Sequence, residues 1–130
     1  MPTPAEIVRL NWEGLEQEPR DLHLEFFDVD AEIHNPDAFP LTGPFRGHEG
    51  IRRWANEVWE VFSDLHHEVE ELIEVDEETV VSVQRTQGEM RHTGIPVDIP
   101  WAAVWRFRDG KVVRAEGYMS RAEAIDAPGV

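Results

Sequence analysis

Arg85 and Gln87 set a fixed cation and an amide two positions apart in a run of alternating side chains, the spacing that puts both on one face of a β-strand. A guanidinium on an otherwise apolar wall must be paired or meet a ligand, so an inward Arg85 would orient a bound molecule with Gln87 beside it. The pattern leaves the direction open. One parity of the segment reads Val81, Val83, Arg85, Gln87, Glu89 and the other Val80, Ser82, Gln84, Thr86, Gly88, Met90. Neither is cleanly apolar, and facing outward Arg85 and Gln87 are ordinary surface residues. Asn35 shares parity with Ala31 and Ile33 and is either a polar point at a cavity mouth or the end of a strand before Pro36. Arg85, Asn35 and Gln87 are the candidate catalytic residues.

Other chemistries find no footing. The six histidines, at 23, 34, 48, 66, 67 and 92, show no pair at the spacing of a zinc helix, and His66 and His67 point to opposite faces of a strand. No metal and no cofactor is expected. The absence of cysteine excludes a thiolate nucleophile, a disulfide framework and a cysteine-ligated metal. Ser63, Ser82 and Ser120 lack the G-x-S-x-G elbow of a nucleophile, and there is no glycine-rich phosphate loop. Twenty-seven acidic against twelve basic residues, a formal charge of −15, repel phosphate backbones, so no nucleic-acid partner is expected. The acidic run from Glu68 to Glu78 lacks the alternating ligands and central glycine of a calcium loop and reads as a solvated strand face and turn. No apolar run approaches the roughly 20 residues of a membrane span, and the first residues lack the basic and apolar regions of a signal peptide. A soluble, cytoplasmic protein without a membrane partner is the expectation, and the 130 residues suit a single domain, 1–130.

The elements that must position these groups follow in order. Thr3-Pro4-Ala5-Glu6 is a capping box with proline at the first helical position, and Ile7, Val8, Trp12 and Leu15 continue at helical spacing. A shorter helix is expected over Arg20 to Phe27, a short strand over Ala31 to Asn35, and a loop over Pro36 to Gly50. Ile51, Trp54, Ala55, Val58, Val61 and Phe62 mark the clearest helix. Four strands then run over His66–Val75, Thr79–Arg91, Val97–Phe107 and Lys111–Ser120, joined by connections short enough to force an antiparallel meander. Ser120-Arg121-Ala122-Glu123 is a second capping box opening a terminal helix. The class is α+β.

The last hairpin has two registers. A two-residue Asp109-Gly110 loop would mix Trp101, Ala103, Trp105 and Phe107 with Arg114, Glu116 and Tyr118 on one face. A three-residue loop with Gly110 as a left-handed bulge shifts the pairing by one, so that the first set shares a face with Val113, Ala115, Gly117 and Met119. The second register is expected, because it builds an apolar concave wall with two indoles and leaves room beside Ala115 and Gly117. The opposite face, with Ala102, Val104, Val112 and Tyr118 among Arg106, Arg114 and Glu116, has the mixed composition of a homodimer surface.

Through AEIHNP, PLTGPFRGHEGIRRW, FRDGKVVRAEGYMSRAEAI and the helix-first, sheet-later order, the chain resembles SnoaL-like (polyketide-cyclase-like) proteins of the nuclear transport factor 2-like superfamily. The resemblance implies a cone-shaped, strongly curved antiparallel sheet of the cystatin-like kind, closed by N-terminal helices around an apolar pocket, usually in a homodimer. Relatives of the limonene epoxide hydrolase kind hold a water with an Asn and a Tyr on the first strand, an Arg and an Asp two apart on a middle strand, and an Asp on the last strand. The resemblance places Asn35 and Arg85 on two of these positions, which favours the inward parity, while Ile33, Gln87 and Gly117 stand where the tyrosine and the two acids would be. Many members carry a histidine where this chain has Ala103. With both acids replaced, general acid–base catalysis of that kind is not expected.

Three readings follow. The first is a pocket protein that binds a small apolar or polycyclic molecule between Trp54, Trp101, Ala103, Trp105, Ala115, Gly117 and Met119, with Asn35, Arg85 and Gln87 as orienting groups. The second is an isomerase, cyclase or epoxide-hydrolase-type enzyme using another acid, Glu89 or a Glu116 turned inward by a bulge. The third is a dimeric interaction domain whose cone is filled by its own side chains. A cavity of about 300 Å³ or more, lined by Arg85, separates the first two from the third.

Overall fold

The structure is a computed structural model that describes residues 2–17, 19–39, 41 and 43–130. Helix α1 (Pro4–Glu16) starts as the capping box requires, with the Thr3 hydroxyl accepting from the Glu6 backbone and the Glu6 carboxylate from that of Thr3. Its face of Ile7, Val8, Trp12 and Leu15 is buried. The helix expected over residues 20–27 is only a 3-10 turn, Leu24–Phe26, because Phe27 already opens strand β1 (Phe27–His34). Leu22, Leu24 and Phe26 still pack against the core, which accounts for their apolar character without a helical period.

The expected loop before the second helix holds two elements. Strand β2 (Phe45–Arg46) pairs with β1 through Glu32 opposite Arg46 and Ile33 opposite Phe45, and helix α2 (Gly47–Val61) begins four residues before the first apolar position. Its N-cap, Arg46, makes no side-chain capping bond, so no capping signal marks that start. Strands β3 (Phe62–Asp76), β4 (Thr79–Met90), β5 (Pro96–Arg108) and β6 (Lys111–Tyr118) form the antiparallel meander, and β1 pairs parallel with β6. Among the described residues the sheet has the order β2-β1-β6-β5-β4-β3. Helices α1 and α2 cover its concave face, and α3 (Arg121–Ile125) lies on the other side. This is the expected α+β class, with a curved and unclosed sheet.

The last hairpin shows the expected sharing of faces, in a different register and by a different device. Ala103 faces Gly117 and Trp105 faces Ala115, yet the loop is the two-residue one: Arg108 pairs with Lys111, and Asp109 and Gly110 both take left-handed φ, 53° and 76°. The shift comes from a bulge, since Arg106 pairs with Arg114 but Phe107 with Val112, leaving Val113 as the extra residue. Val112 therefore turns into the core beside Phe107, and Val113, placed on the inner wall by the sequence, does not. The two-residue loop matches strand twist better, and the bulge restores the apolar face.

Part of the outer face expected to form a homodimer surface is covered by the chain itself. Ala102 and Val104 are wholly buried within the chain, packed in one cluster with Val81, Ala124 and Ala127 from the C-terminal helix and tail. Arg106 fastens that tail by donating to the Pro128 carbonyl while its Nε meets Glu116 at 2.7 Å. The apolar outer residues are thus explained by α3.

Candidate functional site

Four indoles fill the cone. Trp12 of α1 stands edge-on to Trp101 and Trp105 of β5, at ring distances of 5.5 and 5.8 Å and near-perpendicular planes, and Trp54 of α2 closes the side toward β1. An indole N–H is a donor only and, when buried, needs an acceptor. Strand β4 supplies two. Trp105 donates to Ser82 and Trp101 to Thr86, each at 2.9 Å, while Trp54 donates to the Asn35 side-chain oxygen at 3.1 Å.

That pairing decides the parity left open by the pattern. Val80, Ser82, Gln84 and Thr86 face the core, and the hydroxyls of Ser82 and Thr86 are the complement of the indoles opposite. Arg85 and Gln87 therefore lie on the outer face, which corrects the inward orientation drawn from the resemblance. Arg85 forms a two-pronged pair with Asp98, at 2.9 and 3.1 Å, that raises the Arg85 pKa and lowers that of Asp98. Neither residue reaches the cavity.

Among the described residues, two residual spaces lie inside the cone. The larger, about 20 Å³ open to the centre of a water-sized sphere, lies among Trp12, Asn35, Phe39, Trp54, His67, Thr86 and Trp101. The smaller, about 10 Å³, lies among Ile33, Asn35, Trp54, Trp101, Ala103, Trp105, Ala115 and Gly117. Of the residues placed in a site from sequence, the structure brings Asn35, Trp54, Trp101, Ala103, Trp105, Ala115 and Gly117 together. Met119 is not among them: it is 39% exposed and borders an outer groove with Glu116 and Tyr118. By the volume criterion the cone stands filled, with Phe39 set against the Trp101 ring at 4.9 Å.

The sequence reading passed over His67, Trp12 and Thr86. His67 is buried, packs against Trp12 at a ring distance of 4.9 Å with the planes tilted by 48°, and meets the Thr86 hydroxyl at 3.0 Å through Nδ1. Burial pushes its pKa down to about 3, with the neighbouring His66 adding to the effect. The signal for it lay in the alternation of β3, where His67 shares parity with Leu65 and Val69. No carboxylate lines either space among the described residues. Glu116 faces outward against Arg106 and Glu89 is exposed, so neither supplies the missing acid. At Gly117 a side chain would meet Pro36, whose Cδ lies 2.4 Å from where a Cβ would stand.

A curved, unclosed sheet with two helices packed on its inner face is the architecture of the ketosteroid isomerase-like, nuclear transport factor 2-like class of folds. A protein with a ketosteroid isomerase-like fold from Catenulispora acidiphila superposes with a TM-score of 0.77 at 17% identity, over 99% of this chain and 95% of that one. A nuclear transport factor 2-like protein from Burkholderia thailandensis gives 0.79 at 25% identity over 98% and 100%, and a candidate SnoaL-like polyketide cyclase from Jannaschia sp. gives 0.75 at 20% over 98% and 98%. The SnoaL-like domain profile matches residues 8–115, and the chain belongs to that family. No curated protein matches it in sequence.

Proposed function

We propose that this protein binds a small apolar or polycyclic molecule in the cone and does not act as an acid–base catalyst there. The observation that carries the reading is the polarity of the interior. Trp12 Nε1, Asn35 Nδ2 and His67 Nε2 are buried polar atoms without a protein partner, and all three belong to residues that line the larger residual space, where a bound molecule could meet them. The likeness to a candidate polyketide cyclase supports the same kind of occupant, and the family supports a pocket in this place. Against catalysis stands the titration of the lining: a histidine with a pKa near 3 is neither a base nor a proton donor of useful strength at neutral pH.

Entry requires the aromatic ring of Phe39, and Leu41 beside it, to give way, since the space as it stands admits about one water. Titration of the protein with apolar ring compounds, followed by tryptophan emission, tests the reading. Saturable quenching is expected; a flat response across aromatic and polycyclic compounds to their solubility limits overturns it. A second reading, an interaction domain with a filled cone, is favoured by the small volume alone. That reading requires a homodimer, for which the exposed surface outside α3 would serve, and light scattering at tens of micromolar protein tests it. A cytoplasmic location fits the lack of cysteine.

A further inference from the structure

We infer that α1 is a cover released by acid: protonation of His67 lifts the helix from β3 and β4 while the sheet stays folded. The inference concerns the seating of α1 and stands whether or not the cone holds a ligand.

The packed imidazole has no place for a second proton. Trp101 can only donate, so it takes Thr86 Oγ1 as its acceptor and turns the Thr86 hydroxyl proton toward His67 Nδ1. The neutral ring therefore carries its proton on Nε2, which is buried without a partner. A proton added at Nδ1 would meet the Thr86 proton head-on, and the new charge would lie against the Trp12 ring, 4.9 Å away. From β4, β5, α2 and the loop after β1, the side chains lining the space beside His67 are uncharged: Thr86, Trp101, Trp54, Val58 and Phe39. The charged or titratable neighbours are His66 on the same strand and Glu16 of α1. Glu16 accepts from the His67 backbone N–H and pairs with the His66 ring at 3.0 Å, so its carboxylate is already engaged.

Water reaches the ring only when a layer over it moves. Strands β3 and β4 are paired at His67 and Thr86, so neither can carry the ring away without breaking the ladder. Helix α1 takes part in no ladder. Its C-terminal end is tied by the Trp59 indole, which donates to the Leu15 carbonyl at 3.2 Å, and by Glu16. On its buried face Asn11 Nδ2 and Trp12 Nε1 lack partners, so lifting α1 hydrates these two and His67 Nε2 together. What is given up is the apolar burial of Ile7, Val8, Trp12 and Leu15, which keeps the cover seated at neutral pH. The pair of His66 with Glu16 acts the other way, since a protonated His66 holds the helix end, but His66 is exposed and its pull is screened.

Packed His67 titrates at about 3 and a hydrated one at 6.5, so a released helix leaves the ring free to take up a proton as pH falls through 6.5. The ratio of released to seated helix should rise about thirtyfold between about pH 7.5 and pH 5. Amide hydrogen exchange of the unmodified protein, referred to intrinsic rates at each pH, reads this ratio. Amides of α1 from Val8 to Glu16 should be less protected than those of β4 and β5 at both pH values, and their protection should fall about thirtyfold. In His67→Phe that fall should vanish. Equal protection of α1 and β4 means that the helix leaves only with the whole fold, and overturns the inference. So does an α1 protection that does not change with pH, or one that falls as much in His67→Phe. A pH-dependent fall confined to Phe39 and Leu41 places the opening in the loop and overturns it as well. The measurement on the unmodified protein decides the matter even where His67→Phe fails to fold.

Discussion

Gly117→Ala should destabilise the protein although the new side chain is a single methyl, and Pro36 is the reason. The added Cβ would stand 2.4 Å from Pro36 Cδ and 2.9 Å from Cγ, both parts of a rigid ring, with the Pro36 nitrogen at 3.0 Å. Since β1 and β6 are paired in parallel just before this point, through Ile33 and Ala115 and through His34 and Glu116, the strands cannot separate there without losing ladder bonds. Overpacking of this kind costs about 1–3 kcal/mol. Alanine also restricts the unfolded chain, which returns about 0.4–1 kcal/mol. The net loss is about 1–2 kcal/mol, or roughly 4–8 °C in Tm for a chain of this size. Thermal and urea unfolding measure it. Pro36→Ala removes Cγ and Cδ, so Gly117→Ala made in that background should be close to neutral, giving a coupling of about 1 kcal/mol or more. If Gly117→Ala costs nothing, or costs the same in both backgrounds, the contact with Pro36 is not what keeps position 117 a glycine. The same contact predicts that Gly117→Asp, the change that would restore a last-strand acid, yields a less stable protein and no epoxide hydrolysis.

Thr86→Val, which preserves shape, leaves the Trp101 indole and His67 Nδ1 both unpartnered and should cost about 2–4 kcal/mol in urea unfolding, whereas Ser82→Ala, which strands only Trp105, should cost about 1–3 kcal/mol. Burial holds His67 at about 3 when folded against its ordinary 6.5, so the unfolded chain takes up the proton first as pH falls. Its contribution is complete above pH 6.5 and lost progressively toward pH 3, at about 1 kcal/mol per pH unit. The interval from pH 6.5 to 5 lies above the range where the ion-paired Glu32, Glu71 and Asp98 carboxylates protonate, their pKa values being lowered, so His67→Phe should flatten the stability profile there. Arg85→Ala should leave the binding of ring compounds unchanged, because Arg85 is engaged with Asp98 on the outer face; a loss of binding would return it to the site.

What could be read from the sequence was whatever has a local cause. The capping box at Thr3, the N-cap at Ser120, where the hydroxyl accepts from the Glu123 backbone without the reciprocal carboxylate bond, the apolar period of α1 and the short turns between strands each act within a few residues, and the structure contains them. The parallel pairing of β1 with β6 has no local cause, nor does the start of α2, where no side chain caps the helix. The hairpin shows the boundary between the two. Burial of Trp101 and Trp105 demanded a one-residue shift, which the sequence made plain, but a shift can be absorbed in the loop or in the strand. The preference of Asp109-Gly110 for a two-residue turn moved it to Val113.

Arg85 fails for a more general reason. A rule that sorts residues by polarity assigns Ser82, Gln84 and Thr86 to solvent, yet indoles carry donors that must be met inside, and two hydroxyls on β4 meet them. The polar face of β4 is therefore the buried one because β5 is rich in tryptophan. The outer face keeps Arg85 because Asp98, exposed on the neighbouring strand, pairs it without desolvating either group fully. A strand's orientation in this fold is thus set by what its neighbour needs, and the same reasoning that moves Arg85 out brings Thr86, and through it His67, into the candidate site.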